Sequence, residues 1–331
     1  MADKVLHDTD GSGQDRPWRE KKSGSINYSA YKADIVYLTV DEHMQVDELR
    51  KIARIEGCGQ TLSFVKTDKG MKLYQTWFCK KRLCPLCAWR RSKKQAMELH
   101  QILDLAVEQE PNAEFLFLTL TEENATAQDL KTELQNMNRS LYRLRQYKDV
   151  SRDLIGTVRA TEITVNDQNG TYHQHVHMLL MVKSSYFKAG HYLSQQRWSK
   201  LWRRARRLDY DPVVNVKKVR PNARKGTNSL TAAAQEVAKY QVKSSAYMTD
   251  DDVRNREVIM VLENALDHSR ALGFSGLLKQ IRHDLKLDTA ESEDDLIGGD
   301  GAPKEGSGLK SVVYTWDKDV SNYLFGGSWT N

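Results

Sequence analysis

The segment Tyr172–Val182, with the sequence YHQHVHMLLMV, decides how the rest of the chain can be arranged. It is predicted to be a β-strand, in which successive side chains point to opposite faces, so His175 and His177 share one face. The other face is apolar and consists of Val176, Met178, Leu180 and Val182. A strand with such a face is expected to be central and buried in a sheet, where the imidazoles need polar partners.

The segment before this strand supplies a carboxylate. Ile155–Val165 is also strand-like, and the cluster Asn166–Gly170 that separates the two segments is typical of a turn. If residues 167–170 form a four-residue hairpin loop, counting back along the chain places Glu162 directly opposite His175. Directly opposed residues lie on the same face of the sheet, with their Cβ atoms about 5 Å apart.

Two imidazoles and one carboxylate would form a metal site with open coordination positions. Such a site suits a divalent cation, Mn²⁺ or Mg²⁺, that holds a phosphate oxygen. His173 lies on the same strand face and competes with Glu162 as the third ligand. The alternative without a metal is a buried histidine hydrogen-bonded to a glutamate. We therefore predict a metal site of His175, His177 and Glu162, with His173 as the alternative ligand.

A second group of polar residues lies on a predicted helix, Ala232–Val242. Glu236, Tyr240 and Lys243 follow one another at spacings of four and three residues, so they are predicted to share one helix face. A tyrosine hydroxyl becomes a nucleophile when a cation such as Lys243 stabilises its phenolate. Glu236 could act as a general base for a water molecule. The alternative is an ordinary tyrosine at the edge of the core.

The four cysteines predict a second metal site. Cys79, Cys84 and Cys87 lie within nine residues, and Cys58 precedes them by 21 residues. Four thiolates at such spacing favour a closed, tetrahedral, structural zinc site. The alternatives are thiols without a metal or a redox pair.

Charge and hydropathy indicate the kind of partner. The formal net charge is +6, the segment 201–225 is densely basic, and the segment 291–300 is acidic. A basic block suggests a polyanion, and nucleic acid is the first candidate. No segment approaches the roughly 20 apolar residues of a membrane span, and the N-terminus lacks a signal-peptide core, so we expect a cytoplasmic protein. The predicted DNA-binding residues are Arg90, Arg91, Arg203, Arg204, Arg206, Arg207, Lys217, Lys218 and Arg220.

The other patterns predict an α+β fold with a central antiparallel sheet. Phe115–Thr121 and Val213–Val219 are predicted strands, and the segment from Tyr247 to about Leu287 is predicted to be helical. We divide the chain into a flexible N-terminal tail (1–24), a zinc-binding and DNA-binding region (25–110), a catalytic domain (111–247), a C-terminal helical region (248–290) and an acidic, glycine-rich linker and tail (291–331).

Three motifs, taken in order, resemble one family. They are FLTLT (Phe117–Thr121), HQHVHMLL (His173–Leu180) and the E-x3-Y-x2-K pattern of Glu236, Tyr240 and Lys243. Together they are similar to the HUH-endonuclease replication initiators of rolling-circle plasmids, in the subgroup of Gram-positive-type plasmids with one catalytic tyrosine and a companion glutamate. FCKKRLCPLCAWRRS (Phe78–Ser92) and RPWREKK (Arg16–Lys22) resemble the N-terminal region of that subgroup.

The resemblance implies a fold, a reaction and partners. The fold would be a ferredoxin- or RRM-like sheet with the histidine strand at its centre. Tyr240 would nick one strand of the plasmid's double-strand origin and remain linked to the 5′ phosphate, while His175 and His177 bind the divalent ion. Glu236 would activate water in the closing cleavage, and a host replicative helicase would be recruited. The rivals are a conjugative relaxase or single-strand transposase with the same chemistry, and a zinc-stapled DNA-binding regulator without catalysis.

Overall fold

The computed structural model describes residues 5–67, 70–220, 229–239, 242–267, 269–289, 295–297 and 310–330. The chain divides into two compact units. The first, which we call the cysteine unit, comprises Met1–Lys94, Tyr247–Met260 and Glu293–Asn331. The second, the histidine unit, comprises Gln95–Ala246 and Val261–Ser292. None of the helices in the described ranges combines the length and the apolar character needed to cross a membrane.

The cysteine unit is built on a four-stranded antiparallel sheet with the strand order β2-β1-β8-β9. Its helices α1 and α2 pack against each other. The bounds of its elements are α1 (Trp18–Thr39), α2 (Glu42–Glu56), β1 (Thr61–Thr67), β2 (Gly70–Gln75), β8 (Lys310–Asp317) and β9 (Asn322–Thr330). Two further helices have residues in both units: α3 (Pro85–Gln109) and α8 (Asp252–Leu266).

The structure of this unit shows that the predictions of an N-terminal and a C-terminal tail are wrong in part. Trp18 falls within the predicted flexible tail 1–24, yet it begins α1 and is only 2% exposed. Its indole N–H donates to Asp8 Oδ2 at 2.7 Å, and its ring packs edge-on against Trp89. The predicted C-terminal tail contains β8 and β9, and Tyr314 of β8 lies opposite Leu62 of β1. The large aromatic side chains explain both differences, because they bury area that a tail would leave in water.

The histidine unit contains a five-stranded antiparallel sheet with the order β6-β3-β5-β4-β7, so β5 is central as predicted. One face packs against α4 and α6, and the other against α3, α7 and α9. The bounds of these elements are β3 (Glu114–Thr121), α4 (Leu130–Gln146), α5 (Lys148–Ser151), β4 (Leu154–Asn166), β5 (Thr171–Val182), α6 (Gln195–Arg206), β6 (Val214–Val219), α7 (Leu230–Val237), β7 (Leu272–Gly276) and α9 (Leu277–Asp284). The predicted α+β class and antiparallel sheet are confirmed.

The predicted register of the central hairpin is also confirmed. Asn166 lies opposite Thr171, and Glu162 lies opposite His175. The loop closes through a hydrogen bond of 2.9 Å from Gly170 N to Asn166 O. Gly170 has a φ of +65°, a left-handed conformation that glycine adopts without steric cost.

The prediction of one continuous helical region from Tyr247 to Leu287 is wrong. This segment contains α8 and α9, and between them β7 pairs with β4 at the edge of the sheet. Gly276 permits the close approach, because a Cβ atom there would lie 2.1 Å from the carbonyl oxygen of Ile155. Its φ of +58° also favours glycine.

The fold predicts that Tyr323 stabilises the cysteine unit through its hydroxyl group. Tyr323 of β9 is fully buried, and its hydroxyl donates to the carbonyl oxygen of Gly59 at 2.6 Å. Tyr323→Phe leaves that carbonyl without its donor, so the free energy of unfolding should fall by about 1–3 kcal/mol in denaturant titration. Tyr37→Phe, at a position 62% exposed, is the control and should have no effect. Equal stability of the Tyr323 variant and the wild type would contradict a stabilising role for this hydroxyl group.

Candidate metal centre

The paired strands β4 and β5 bring three metal-ligand side chains together. Glu162 Oε2 lies 3.4 Å from His175 Nε2 and 3.3 Å from His177 Nε2. All three side chains are partly exposed, which leaves room for a ligand. Two nitrogens and one oxygen converge on one point and could hold a metal ion. We call this group the triad.

His173, the alternative ligand, lies outside this convergence. Its Nδ1 is hydrogen-bonded to Asn124 Oδ1 at 3.0 Å, and its ring stacks on that of His175. Burial, and to a smaller extent the charge of His175, lower the pKa of His173. The geometry therefore favours Glu162 over His173 as the third ligand.

The electrostatics of the triad keep its carboxylate ionised. Burial alone would raise the pKa of Glu162, but the hydrogen bonds and charges of the two imidazoles outweigh burial. The resulting pKa lies well below the usual range of a glutamate. An ionised carboxylate beside two imidazoles is a donor set that fits Mn²⁺ or Mg²⁺ with substrate oxygens in the remaining positions.

A threonine of the neighbouring strand supports the triad. Thr119 of β3 lies directly opposite His177, and its Oγ1 is 3.2 Å from His177 Nδ1. A metal bound at Nε2 requires the ring proton to be on Nδ1, and a hydroxyl oxygen can accept that hydrogen bond. We did not predict this role from the sequence. The alternation in FLTLT was the available signal, because it puts Phe117, Thr119 and Thr121 on one face of the strand.

The predicted face of Glu236, Tyr240 and Lys243 is not a continuous helical face. The helix α7 ends at Val237 instead of Val242, and Tyr240 lies outside the described residues. Glu236 forms an ion pair with Lys239. The helix packs through Leu230, Ala233, Ala234 and Val237.

The cysteine unit contains a second cluster of metal-ligand atoms. Cys58 Sγ lies 3.4 Å from Cys87 Sγ and 3.8 Å from Cys84 Sγ, and Cys79 Sγ lies 3.6 Å from Cys87 Sγ. All four sulfur atoms are within 4.8 Å of one another and could hold a metal ion. Four ligands at about 2.3 Å from a tetrahedral ion would have S···S distances of about 3.8 Å, close to those observed.

A buried lysine and a serine surround this cluster. The ammonium group of Lys22 donates to the carbonyl oxygens of Glu56 at 2.6 Å and Cys58 at 2.9 Å. Ser25 Oγ lies 3.0 Å from Cys84 Sγ. Burial lowers the pKa of Lys22, and negative charge on Cys58 and Cys84 acts in the opposite direction. The ammonium group would offset part of the negative charge that four thiolates carry when they bind a metal ion.

The chain matches the model of a protein family described as "Replication protein" over residues 70–324. It belongs to this family. It is 47% identical over 324 residues to "Protein rep" of Lactiplantibacillus plantarum, which covers 97% of this chain and 98% of that protein. Identity is 46% to "Protein rep" of Lentilactobacillus hilgardii (98% and 99% covered) and 36% to that of Streptococcus pneumoniae (97% and 96% covered). No solved structure gave a significant match.

Membership in the replication family confirms the resemblance that the three motifs indicate. The family model covers the triad, all of β3 to β7, and three of the four cysteines, Cys79, Cys84 and Cys87. DNA is therefore the polyanion that the predicted DNA-binding residues would contact.

Two of the predicted DNA-binding residues are buried in intramolecular contacts. Arg90 is 2% exposed, and its Nε donates to the carbonyl oxygen of Leu296 at 3.1 Å. Arg206 is paired with Glu122 and Glu133. Both assignments are therefore corrected, because these guanidinium groups already have acceptors inside their unit. Arg91 and Arg203 donate to carbonyl oxygens nearby, and the exposed candidates are Arg204, Arg207, Lys217, Lys218 and Arg220.

The geometry predicts that Thr119 strengthens metal binding at the triad. Thr119→Val removes the hydroxyl with little change in volume, so the affinity for Mn²⁺ should fall about 10-fold. Thr119→Ser keeps the hydroxyl and should bind like the wild type. Thr121→Val is the matched control, because Thr121 Oγ1 donates to the carbonyl oxygen of Val213 and not to an imidazole. Calorimetric titration of the full-length protein would contradict this role if the Thr119→Val variant bound Mn²⁺ as tightly as the wild type.

Proposed function

We propose that this protein initiates rolling-circle replication of a plasmid by nicking one strand at the double-strand origin. The observation that carries this proposal is the triad on the paired strands β4 and β5 of a replication-family protein. A site with two imidazoles, a carboxylate and open positions suits a phosphodiester substrate. We also propose that the sheet of the histidine unit has the ferredoxin- or RRM-like fold.

The triad prepares the phosphodiester for attack. A divalent cation, Mn²⁺ or Mg²⁺, would orient the scissile phosphate and neutralise the charge that develops on its oxygens. Glu162, His175 and His177 would hold that ion, and Thr119 would keep the His177 ring in its productive orientation. These side chains lie on the sheet face against which α7 packs. The helix that precedes Tyr240 is thus on the same face as the triad.

Tyr240 is the proposed nucleophile, on the strength of the E-x3-Y-x2-K pattern and its resemblance to the initiator subgroup. The phenolate oxygen attacks the phosphorus atom, and the bond from phosphorus to the 3′ oxygen breaks. The 3′ oxygen takes up a proton and becomes the 3′-OH that primes synthesis. The 5′ phosphate stays linked to Tyr240, and Lys243 is proposed to stabilise the phenolate before attack.

Glu236 is proposed to act when replication ends. A carboxylate can deprotonate a water molecule, which then hydrolyses the phosphodiester in the closing cleavage without forming another covalent link. Its ion pair with Lys239 is partly exposed, so the carboxylate is accessible. Origin DNA, single-stranded at the nick, is the proposed substrate, and a host replicative helicase is the partner that the resemblance implies.

We propose zinc as the ion of the cysteine cluster. Four sulfur donors without an open position suit a structural ion rather than a catalytic one. The cluster joins the loop at Cys58 to the start of α3, which contains Cys87. The thiols would thereby stabilise the cysteine unit.

The nucleophile assignment predicts the behaviour of Tyr240→Phe. This change removes only the hydroxyl group, so origin binding should persist while nicking of a supercoiled origin plasmid falls by several orders of magnitude. Tyr192→Phe, an exposed tyrosine of the histidine unit, should nick normally. The covalent adduct between protein and 5′ phosphate also separates a nuclease from a DNA-binding regulator. Undiminished adduct in Tyr240→Phe would show that another residue attacks.

The zinc assignment predicts one tightly bound zinc per chain. Cys87→Ser should lose the zinc and lower the stability of the cysteine unit, because three remaining thiolates cannot close the tetrahedron. Ser25→Ala removes only a neighbour of Cys84 and should retain zinc. Elemental analysis of freshly purified, reduced protein tests both variants. Wild-type protein without zinc would refute the assignment.

A further inference from the structure

A polar strip lies on β4, on the face opposite to the triad. Strand alternation places Thr157, Arg159 and Thr161 on this face, whereas Glu162 points the other way. The strip continues onto the edge strand β7, where Ser275 lies opposite Thr157 and their hydroxyl oxygens are 2.7 Å apart. On the other side of β4, the neighbours of these residues on β5 are the apolar Leu180, Met178 and Val176.

The guanidinium group of Arg159 lies across the backbone of β7. Arg159 is directly opposite Gly273, and a Cβ atom at that glycine would be 2.9 Å from Arg159 Nε. One guanidinium nitrogen is 3.4 Å from Thr161 Oγ1, at the long end of a hydrogen bond. The absence of a side chain at Gly273 therefore makes room for this guanidinium group.

No carboxylate in the described part of the chain pairs with Arg159. The one described charge that acts on it is that of another cation, Arg145 in the last turn of α4. Arg145 itself donates to the carbonyl oxygen of Leu141 at 3.3 Å. Burial, together with the charge of Arg145, lowers the pKa of Arg159 to about 10.

Arg206, in the same unit, shows how a buried arginine is usually stabilised. It is paired with Glu122 and Glu133, and these carboxylates outweigh burial and raise the pKa of Arg206. A half-buried cation without such a partner reduces stability. An external anion would remove that cost. The planar guanidinium fork is well suited to a phosphate group, which it can bind through two parallel hydrogen bonds.

We propose that Arg159 binds one phosphate of the DNA backbone, at a second contact separate from the scissile phosphate. The identity of the polyanion as DNA rests on the proposed function. The contact is separate because Arg159 and Glu162 lie on opposite faces of β4. It would anchor the DNA without reading its sequence, since phosphates carry no base information.

The salt dependence of DNA binding tests the proposal. Each neutralised phosphate contributes about 0.9 to the slope of log affinity against log salt for duplex DNA. Arg159→Met in the full-length protein should lower the slope by about that amount and weaken binding roughly 10-fold, equally on origin and unrelated duplexes. Arg197→Met is the control, because exposed Arg197 is paired with Asp149. An unchanged slope in Arg159→Met would overturn the proposal.

A second measurement is independent of nicking and of DNA. Inorganic phosphate, compared with chloride at equal ionic strength and without added divalent cations, should raise the melting temperature of the wild type. This protection should disappear in Arg159→Met and diminish in Gly273→Ala, which keeps the charge of Arg159 but displaces its guanidinium group. If phosphate protects the wild type but the protein forms no tyrosine adduct with DNA, the proposed anion site is supported and the proposed nicking activity is refuted. Absent protection, with a marked loss of stability in Arg159→Met, would indicate a carboxylate of this chain as the partner and refute the anion site.

Discussion

The register between β4 and β5 is the constraint on which the candidate site depends. Side chains alternate along a strand, so a slip of one residue would move Glu162 to the opposite face and away from both imidazoles. The loop sets this register locally: Gly170 N donates to Asn166 O, and Gln168 N donates to Asn166 Oδ1 at 3.0 Å. A short polar turn thereby determines whether three metal-ligand atoms converge.

The same alternation gives the two faces of the sheet different tasks. The face with the triad also packs against α7, the element that carries Glu236 and leads to Tyr240. The opposite face buries Trp198 and Trp202 of α6 against the sheet and, towards the edge strand β7, carries Arg159. The proposed phosphodiester chemistry on one face and the proposed phosphate anchor on the other are thus both built on β4. The cysteine unit has its own sheet and core and its own metal-ligand cluster.

Interactions between residues close in the chain could be predicted from the sequence, and those between distant residues could not. The hairpin depends on strand alternation and turn chemistry within Leu154–Val182, so its register and the triad followed from local pattern. The pairing of β1 with β8 joins segments about 250 residues apart, and no local pattern distinguishes that strand from a tail. The guanidinium groups of Arg90 and Arg206 are likewise buried by contacts with Leu296 and Glu122, which lie far away in the sequence. The end of α7 was missed because helix propensity continues after its apolar stripe ends at Val237.

Direct measurement of Mn²⁺ binding to Glu162→Gln and His173→Gln tests the central claim most directly. Each change replaces one possible metal ligand of the β4–β5 hairpin, and neither removes an apolar contact of the core. If Glu162 completes the triad, Glu162→Gln should weaken Mn²⁺ binding by at least about 10–100-fold, and His173→Gln should leave it nearly unchanged. The opposite order, with His173→Gln losing the metal and Glu162→Gln retaining it, would contradict the account of the site.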